Sequence, residues 1–182
     1  MTILNENDSL VLIIDIQEKL LNAAFNKDIL NKKASIITNA AKLLNIPIII
    51  TEQYPKGLGA TINDIKEIVN NNAKFYEKTS FSALENTELE NDIINNNKKQ
   101  IIIFGIETHI CVSQTAIALK EKGYDVTLIQ DASGSRTEFE HNAGIERMKE
   151  FGVHIITTEI ALFEWLKSSK HTKFKEVQAL IK

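Results

Sequence analysis

The stretch QIIIFGIETHICVSQTAIALKEKG (Gln100–Gly123) changes its periodicity partway along. Gln100–Gly105 is a continuous apolar, β-branched run of strand length, while Thr108–Lys122 repeats apolar residues at helical spacing and stops at Gly123. A strand without polar alternation, followed at once by a helix, fits a parallel sheet covered on both faces. The same alternation extends outward. Upstream are strand patterns at Ser9–Asp15 (SLVLIID) and Ile46–Thr51 (IPIIIT), with a helix pattern over Asp28–Leu44 between them. A loop with Pro55, Gly57 and Gly59 follows over Glu52–Thr61, then a short helix at Asp64–Val69, a weak strand at Ala73–Glu77 and a helix at Leu84–Asn95. Downstream come strands at Asp125–Gln130 and Val153–Thr157 with a helix at Glu138–Phe151 between them, then helical stretches at Glu159–Lys167 and Phe174–Ile181. Right-handed crossovers turn this order into an α/β fold, a three-layer α/β/α sandwich on a doubly wound, mostly parallel sheet of order 3-2-1-4-5-6.

The 182 residues fit a single domain over 1–182. A net charge of −3 argues against a nucleic-acid partner, which favours a basic stripe. No apolar run reaches the roughly 20 residues of a membrane span, and the polar, acidic Met1–Asp8 does not read as a secretory signal. One cysteine excludes an intramolecular disulfide, so the expectation is a cytoplasmic protein with a reduced thiol and no membrane partner.

Ligands of such sheets bind beyond the carboxyl ends of the strands, where strand order reverses. That crevice lies between strands one and four. Asp15 ends the first strand, Cys111 follows the fourth, and Lys78 closes the weak third strand on the same edge. With Thr108 as N-cap, Cys111 falls in the first helical turn, where free N–H groups and the helix dipole favour a thiolate. The thiol is therefore expected to be more acidic than a free cysteine, with Asp15 opposing the shift. A lone cysteine is more commonly a buried, inert one. Arg136, in D-A-S-G-S-R (Asp131–Arg136), reads equally as part of a capped turn or as an anion contact. The four histidines lack metal-ligand spacing, His154 reads as structural, and His141 reads as a surface or interface residue. No G-x-G-x-x-G or Walker-type loop suggests a nucleotide, so no cofactor is expected.

Taken in order, L-V-L-I-I-D-I-Q (Leu10–Gln17), E-K-T-S-F-S-A (Glu77–Ala83) and G-I-E-T-H-I-C-V (Gly105–Val112), together with D-A-S-G-S-R, resemble the isochorismatase-like cysteine hydrolase superfamily. T-E-Q-Y-P-K-G-L-G (Thr51–Gly59) and the tail Lys173–Lys182 bring the resemblance closest to the isochorismatase domain-containing branch. The resemblance implies a catalytic triad of Asp15, Lys78 and Cys111 and a cis peptide bond at Ile106–Glu107. It further implies an oxyanion hole from the backbone N–H groups of Glu107 and Cys111. Nicotinamidase-type members bind a metal through an Asp and two His near the loop after strand two. Thr51–Gly59 has no His, so no metal is expected. Siderophore-pathway isochorismatases lack the nucleophilic cysteine, and its presence here argues against isochorismate.

The activity implied is hydrolysis of a small amide through a thioester. A catalytically silent binding or scaffold protein is the alternative, and nucleic-acid processing the least favoured. Substrate contacts are expected from Gln17, Gln53, Tyr54, Phe81 and Arg136, with Phe25 and Leu58 nearby. Homo-oligomers are expected because relatives form them, with Phe163–Trp165–Leu166 packing either at a subunit contact or on the sheet.

Overall fold

The computed structural model describes residues 3–182; Met1 and Thr2, which open the polar Met1–Asp8 segment, lie outside the described residues. Six strands, β1 (Ser9–Ile14), β2 (Ile48–Gln53), β3 (Ala73–Lys78), β4 (Gln100–Gly105), β5 (Asp125–Ile129) and β6 (His154–Ile156), form one sheet in the order β3-β2-β1-β4-β5-β6. Every neighbouring pair is parallel, and Ile14 pairs with Thr51 on one side and Gly105 on the other.

The helices lie on both faces. Val11, Ile13, Ile50 and Phe104 pack against Leu30 and Ile37 of α2 (Lys27–Leu43) and Leu162 and Trp165 of α8 (Thr158–Leu166). Leu10, Leu12, Ile14 and Ile103 point the other way, onto α5 (Thr87–Asn95), α6 (Ser113–Glu121) and α7 (Glu138–Glu150). β1 is therefore buried at all of its positions, which is why its sequence shows no polar alternation. Each such fully buried Leu or Ile contributes about 1.5–3 kcal/mol. The buried Trp165 indole donates to Ser9 Oγ at 3.0 Å, so its N–H is satisfied.

The structure departs from the sequence reading at several element ends. The helix expected over Leu84–Asn95 breaks at Asn86, whose side chain caps α5 by accepting from the Glu88 and Leu89 N–H groups. The Glu52–Thr61 loop contains the end of β2 and a short helix, α3 (Pro55–Leu58), with proline in its first turn. Another short helix, α1 (Glu18–Ala23), follows β1. The helix expected to start at Thr108 begins as a π-helical turn over Thr108–Val112 before α6. Gly144 of α7 permits this turn to lie close, since a Cβ there would sit 2.7 Å from His109 Cα. Of the apolar stretch in α8, Trp165 and Leu166 are in the core and Phe163 is 42% exposed.

Candidate active site

The site is assembled where β1, β3 and β4 end. Asp15 follows β1 with a left-handed backbone (φ 49°), a conformation that favours Asp and Asn among non-glycine residues. Its Oδ1 accepts from Thr51 Oγ1 at 2.6 Å, and its Oδ2 accepts from Lys78 Nζ at 2.7 Å. Both charged side chains are removed from solvent, at 0% and 1% exposure. The Lys78 ammonium is enclosed by further acceptors, Gln53 Oε1 and the carbonyls of Ser80 (3.2 Å) and Phe81 (3.4 Å). Lys78 reaches this place because β3 runs one residue past Glu77, in register with Gln53. The rest of β3 lies on a sheet edge and is largely exposed, so its sequence reads poorly as a strand.

Cys111, 6% exposed, sits in the π-helical turn, close enough to Asp15 and Lys78 that both act on its ionisation. The expected acidic thiol is overturned. Burial pushes Cys111 up to about 12, the Asp15 carboxylate adds to the rise, and the Lys78 ammonium only partly opposes it. Desolvation of the thiolate is the largest of these effects. The resting thiol is therefore protonated at neutral pH. Thr108 does not cap the helix either: its hydroxyl is buried against His141 Nδ1 at 2.9 Å. His141 is consequently an interior residue, tilted on the Phe25 ring at 5.6 Å, and burial lowers its pKa.

Gly105 holds β4 tightly against β1. Its φ is +137°, and a Cβ there would lie 1.9 Å from the Ile14 carbonyl oxygen. The Ile106–Glu107 peptide bond is cis. The surrounding turn is fixed from outside, because Gly134 N–H donates to Gly105 O (3.1 Å) and Gly134 O accepts from Thr108 N–H (2.9 Å). The D-A-S-G-S-R segment thus serves as a backbone clamp. Among the described residues the Glu107 N–H has no backbone acceptor. Arg136, at the exposed end of the clamp, donates from Nε to Glu107 Oε2 at 3.1 Å, and Thr137 caps α7. The capped-turn reading fits this geometry, and the arginine's partner here is a carboxylate of the chain itself.

The remaining candidates separate into two groups. Gln17 is fully buried and its amide is engaged with the chain: Nε2 donates to the Gln53 and Gly59 carbonyls, and Oε1 accepts from Gln53 N–H. Gln53 spans Lys78 and the Thr79 carbonyl. Tyr54 and Phe81 are instead 55% and 54% exposed. Tyr54 lines a cleft of about 390 Å³ with Lys56, Glu77, Thr79 and Glu85, and Lys78 forms part of its wall. Leu58 is partly buried in α3. A separate apolar groove of about 650 Å³ involves Ile3, Ile160 and Phe163 and none of the triad candidates. Among the described residues no three His, Cys, Asp or Glu side chains are grouped to hold a metal ion, and no helix is long and apolar enough to cross a membrane.

Sequence reasoning missed Thr51 and Thr115. Thr51 could have been found, since register with Ile14 puts the last residue of IPIIIT beside Asp15. Thr115 gives no such signal, because its role depends on a loop more than thirty residues upstream.

A parallel 3-2-1-4-5-6 sheet with helices on both faces and a buried acid–lysine pair beside a cysteine at its carboxyl edge defines a three-layer α/β/α sandwich with a polar site at its switch point. The chain belongs to the isochorismatase family: the isochorismatase domain matches residues 9–160. It is 40% identical over 181 residues to isochorismatase family protein 1A of Dictyostelium discoideum, covering 97% of this chain and 87% of that one. It is 33% identical to the secreted isochorismatase effector Isc1 of Phytophthora sojae, covering 97% and 85%. Among solved structures, the MAR1 ribonuclease of Caenorhabditis elegans superposes with a TM-score of 0.94 at 34% identity, covering 99% of this chain and 92% of that one. YcaC from Pseudomonas aeruginosa, solved with hexane-2,5-diol and covalent acrylamide, superposes at 0.92 with 25% identity, covering 97% and 90%.

Proposed function

We propose that the protein hydrolyses a small amide through a thioester on Cys111, with Asp15, Lys78 and Cys111 as the catalytic triad. The observation that carries this reading is the solvent-excluded Asp15–Lys78 pair, 2.7 Å apart, beside the buried Cys111 thiol. A carboxylate next to a neutral thiol is arranged as a general base. Cys111 Sγ attacks the carbonyl carbon while Asp15 takes the thiol proton. The C–N bond breaks as Asp15 returns that proton to the leaving amine. Water then attacks the thioester, giving one proton through Asp15 to Sγ and releasing the carboxylic acid. Lys78 keeps the Asp15 carboxyl group oriented throughout. The backbone N–H groups of Glu107 and Cys111 receive the oxyanion.

Gln17 and Gln53 act on this reaction by positioning the loop and Lys78, since their amides are engaged within the chain. Tyr54 and Phe81 flank the substrate's approach, and Arg136 acts through Glu107 at the rim. Acrylamide is an electrophile that carries a primary amide, and its covalent presence in the YcaC neighbour supports a nucleophile in this fold that reacts with an amide-bearing molecule once it is bound. The reaction as written uses no metal.

The test is a panel of small primary and secondary amides assayed with and without chelator, with intact-mass detection of an acyl adduct. Turnover that survives chelation and disappears in Cys111→Ala, with the adduct confined to the wild type, is the expected result. Full activity in Cys111→Ala overturns the mechanism, and loss on chelation with recovery on added zinc or manganese overturns the metal-free reading. The likeness to the MAR1 ribonuclease favours one second reading, RNA cleavage. The net charge of −3 weighs against it, and the same preparation incubated with a structured RNA decides it.

A further inference from the structure

The Thr115 side chain is fully buried on α6, one helical turn after Cys111. Its hydroxyl donates to the Cys111 carbonyl at 2.7 Å. A threonine bonding back to the carbonyl four residues earlier is ordinary in helices and by itself means little. The second bond is not local: the same oxygen accepts the Ala83 N–H at 2.9 Å, across thirty-two residues. Ala83 is fully buried and closes the loop that follows β3. The carbonyls of Ser80 and Phe81 in that loop are two of the acceptors around Lys78 Nζ. One hydroxyl therefore joins the turn carrying the thiol to the loop that encloses the lysine. A hydroxyl can donate and accept at once, which no apolar side chain of that size can do.

We infer that Thr115 is a positioning residue that couples the Cys111 turn to the Lys78 loop, setting how closely the ammonium attends the thiol. The inference rests on the proposed triad and adds a member that touches neither substrate nor reacting atoms. Asp15 from the end of β1 and Lys78 from β3 are the charged groups acting on the thiol. Lys78 is the one whose loop Thr115 holds. Losing the bridge frees that loop, weakens the support Lys78 gives the thiolate, and leaves the opposing Asp15 in place.

The experiment follows alkylation of Cys111 by iodoacetamide across pH by intact mass, in wild type, Thr115→Val, Thr115→Ser, Lys78→Met and Asp15→Asn, each checked for a cooperative melt. This readout needs no substrate. Thr115→Val should alkylate about five-fold or more slowly at fixed pH, because the rate follows the thiolate fraction, and Thr115→Ser should restore the wild-type profile. If Lys78→Met and Asp15→Asn move the profile and Thr115→Val does not, the inference falls and the triad stands. If none of the three moves it, the triad falls and the inference with it. Should Thr115→Val fail to fold, Thr115→Ala makes the same comparison. Hydrogen exchange at the Ala83 amide of the wild type is a further check: a freely exchanging amide overturns the bridge.

Discussion

Replacing Lys78 by Met removes one half of a buried ion pair and leaves the other half in place. At 2.7 Å and an effective dielectric of 20, the Asp15–Lys78 attraction is about 6 kcal/mol. Withdrawing two charges from water costs several kcal/mol per ion, so the pair as a whole contributes little to folding. The single variant is different. It leaves the Asp15 carboxylate fully buried, with the Thr51 hydroxyl and the neutral Cys111 thiol beside it and, among the described residues, no cation to balance its charge. Breaking such a pair costs about 3–5 kcal/mol, a large share of a typical domain's stability of about 5–15 kcal/mol. The neutral Asp15→Asn change, which keeps the shape and tolerates the left-handed backbone, removes the stranded charge. The double variant Asp15→Asn/Lys78→Met should therefore recover most of the loss while remaining inactive. Urea unfolding of wild type, both single variants and the double variant measures these terms and their coupling. A Lys78→Met protein within about 1 kcal/mol of wild type, with no recovery in the double variant, would refute the argument that the pair is desolvated.

Two further outcomes follow from the same geometry. The Cys111 pKa is about 12 in the folded protein against an ordinary 9.0, so stability is unaffected by this thiol below pH 9 and is lost as pH rises from 9 towards 12. The loss approaches about 4 kcal/mol by pH 12, and the steeper decline of wild type relative to Cys111→Ala in alkaline unfolding curves measures it. Gly105→Ala places a methyl group into the Ile14 carbonyl at a backbone angle that alanine avoids, so a cost of roughly 4 kcal/mol or more is expected. A variant that melts within a few degrees of wild type would show that β4 can move away from β1.

The legible parts of the molecule are those governed by burial pattern. β4 reads at its observed bounds because its six buried positions give a continuous apolar run that a new periodicity follows directly. The 3-2-1-4-5-6 order then brought Asp15, Lys78 and Cys111 to one edge although they are far apart in the chain. What pattern could not supply was environment. A helix-terminal cysteine reads as acidic when only its own helix is considered. The opposite shift comes from the burial of its turn and from the Asp15 carboxylate across the crevice. His141 reads as a surface residue because its helix is polar on most positions, yet it faces Thr108. Gln17 and Gln53 read as pocket residues from their place at strand ends, and their amides are engaged instead by neighbouring backbone and by Lys78. Position along a strand locates a residue at an edge, but only the partners around its side chain determine whether it can meet a substrate.

The raised thiol pKa bears on how the proposed reaction begins. A cysteine that rested as a thiolate beside Asp15 would put two negative charges in one buried crevice with a single ammonium between them. In the proposed reaction this is avoided, because the proton stays on sulfur until it moves to the carboxylate; burial and Asp15 both raise the thiol's pKa. Under that proposal attack and proton transfer are a single event: the charge lost from Asp15 reappears on the substrate oxygen, towards the Glu107 and Cys111 N–H groups. Such an arrangement keeps the lone thiol unreactive towards adventitious oxidants and electrophiles, which react with thiolate, while leaving it competent towards a bound carbonyl. It also predicts a division between probes. Iodoacetamide should label Cys111 slowly at neutral pH, whereas an amide substrate that fills the oxyanion position should acylate it at a rate independent of the thiol's own ionisation. Equal pH dependence for alkylation and for acylation would show that a free thiolate is the attacking species, and that Asp15 has no part in the first step.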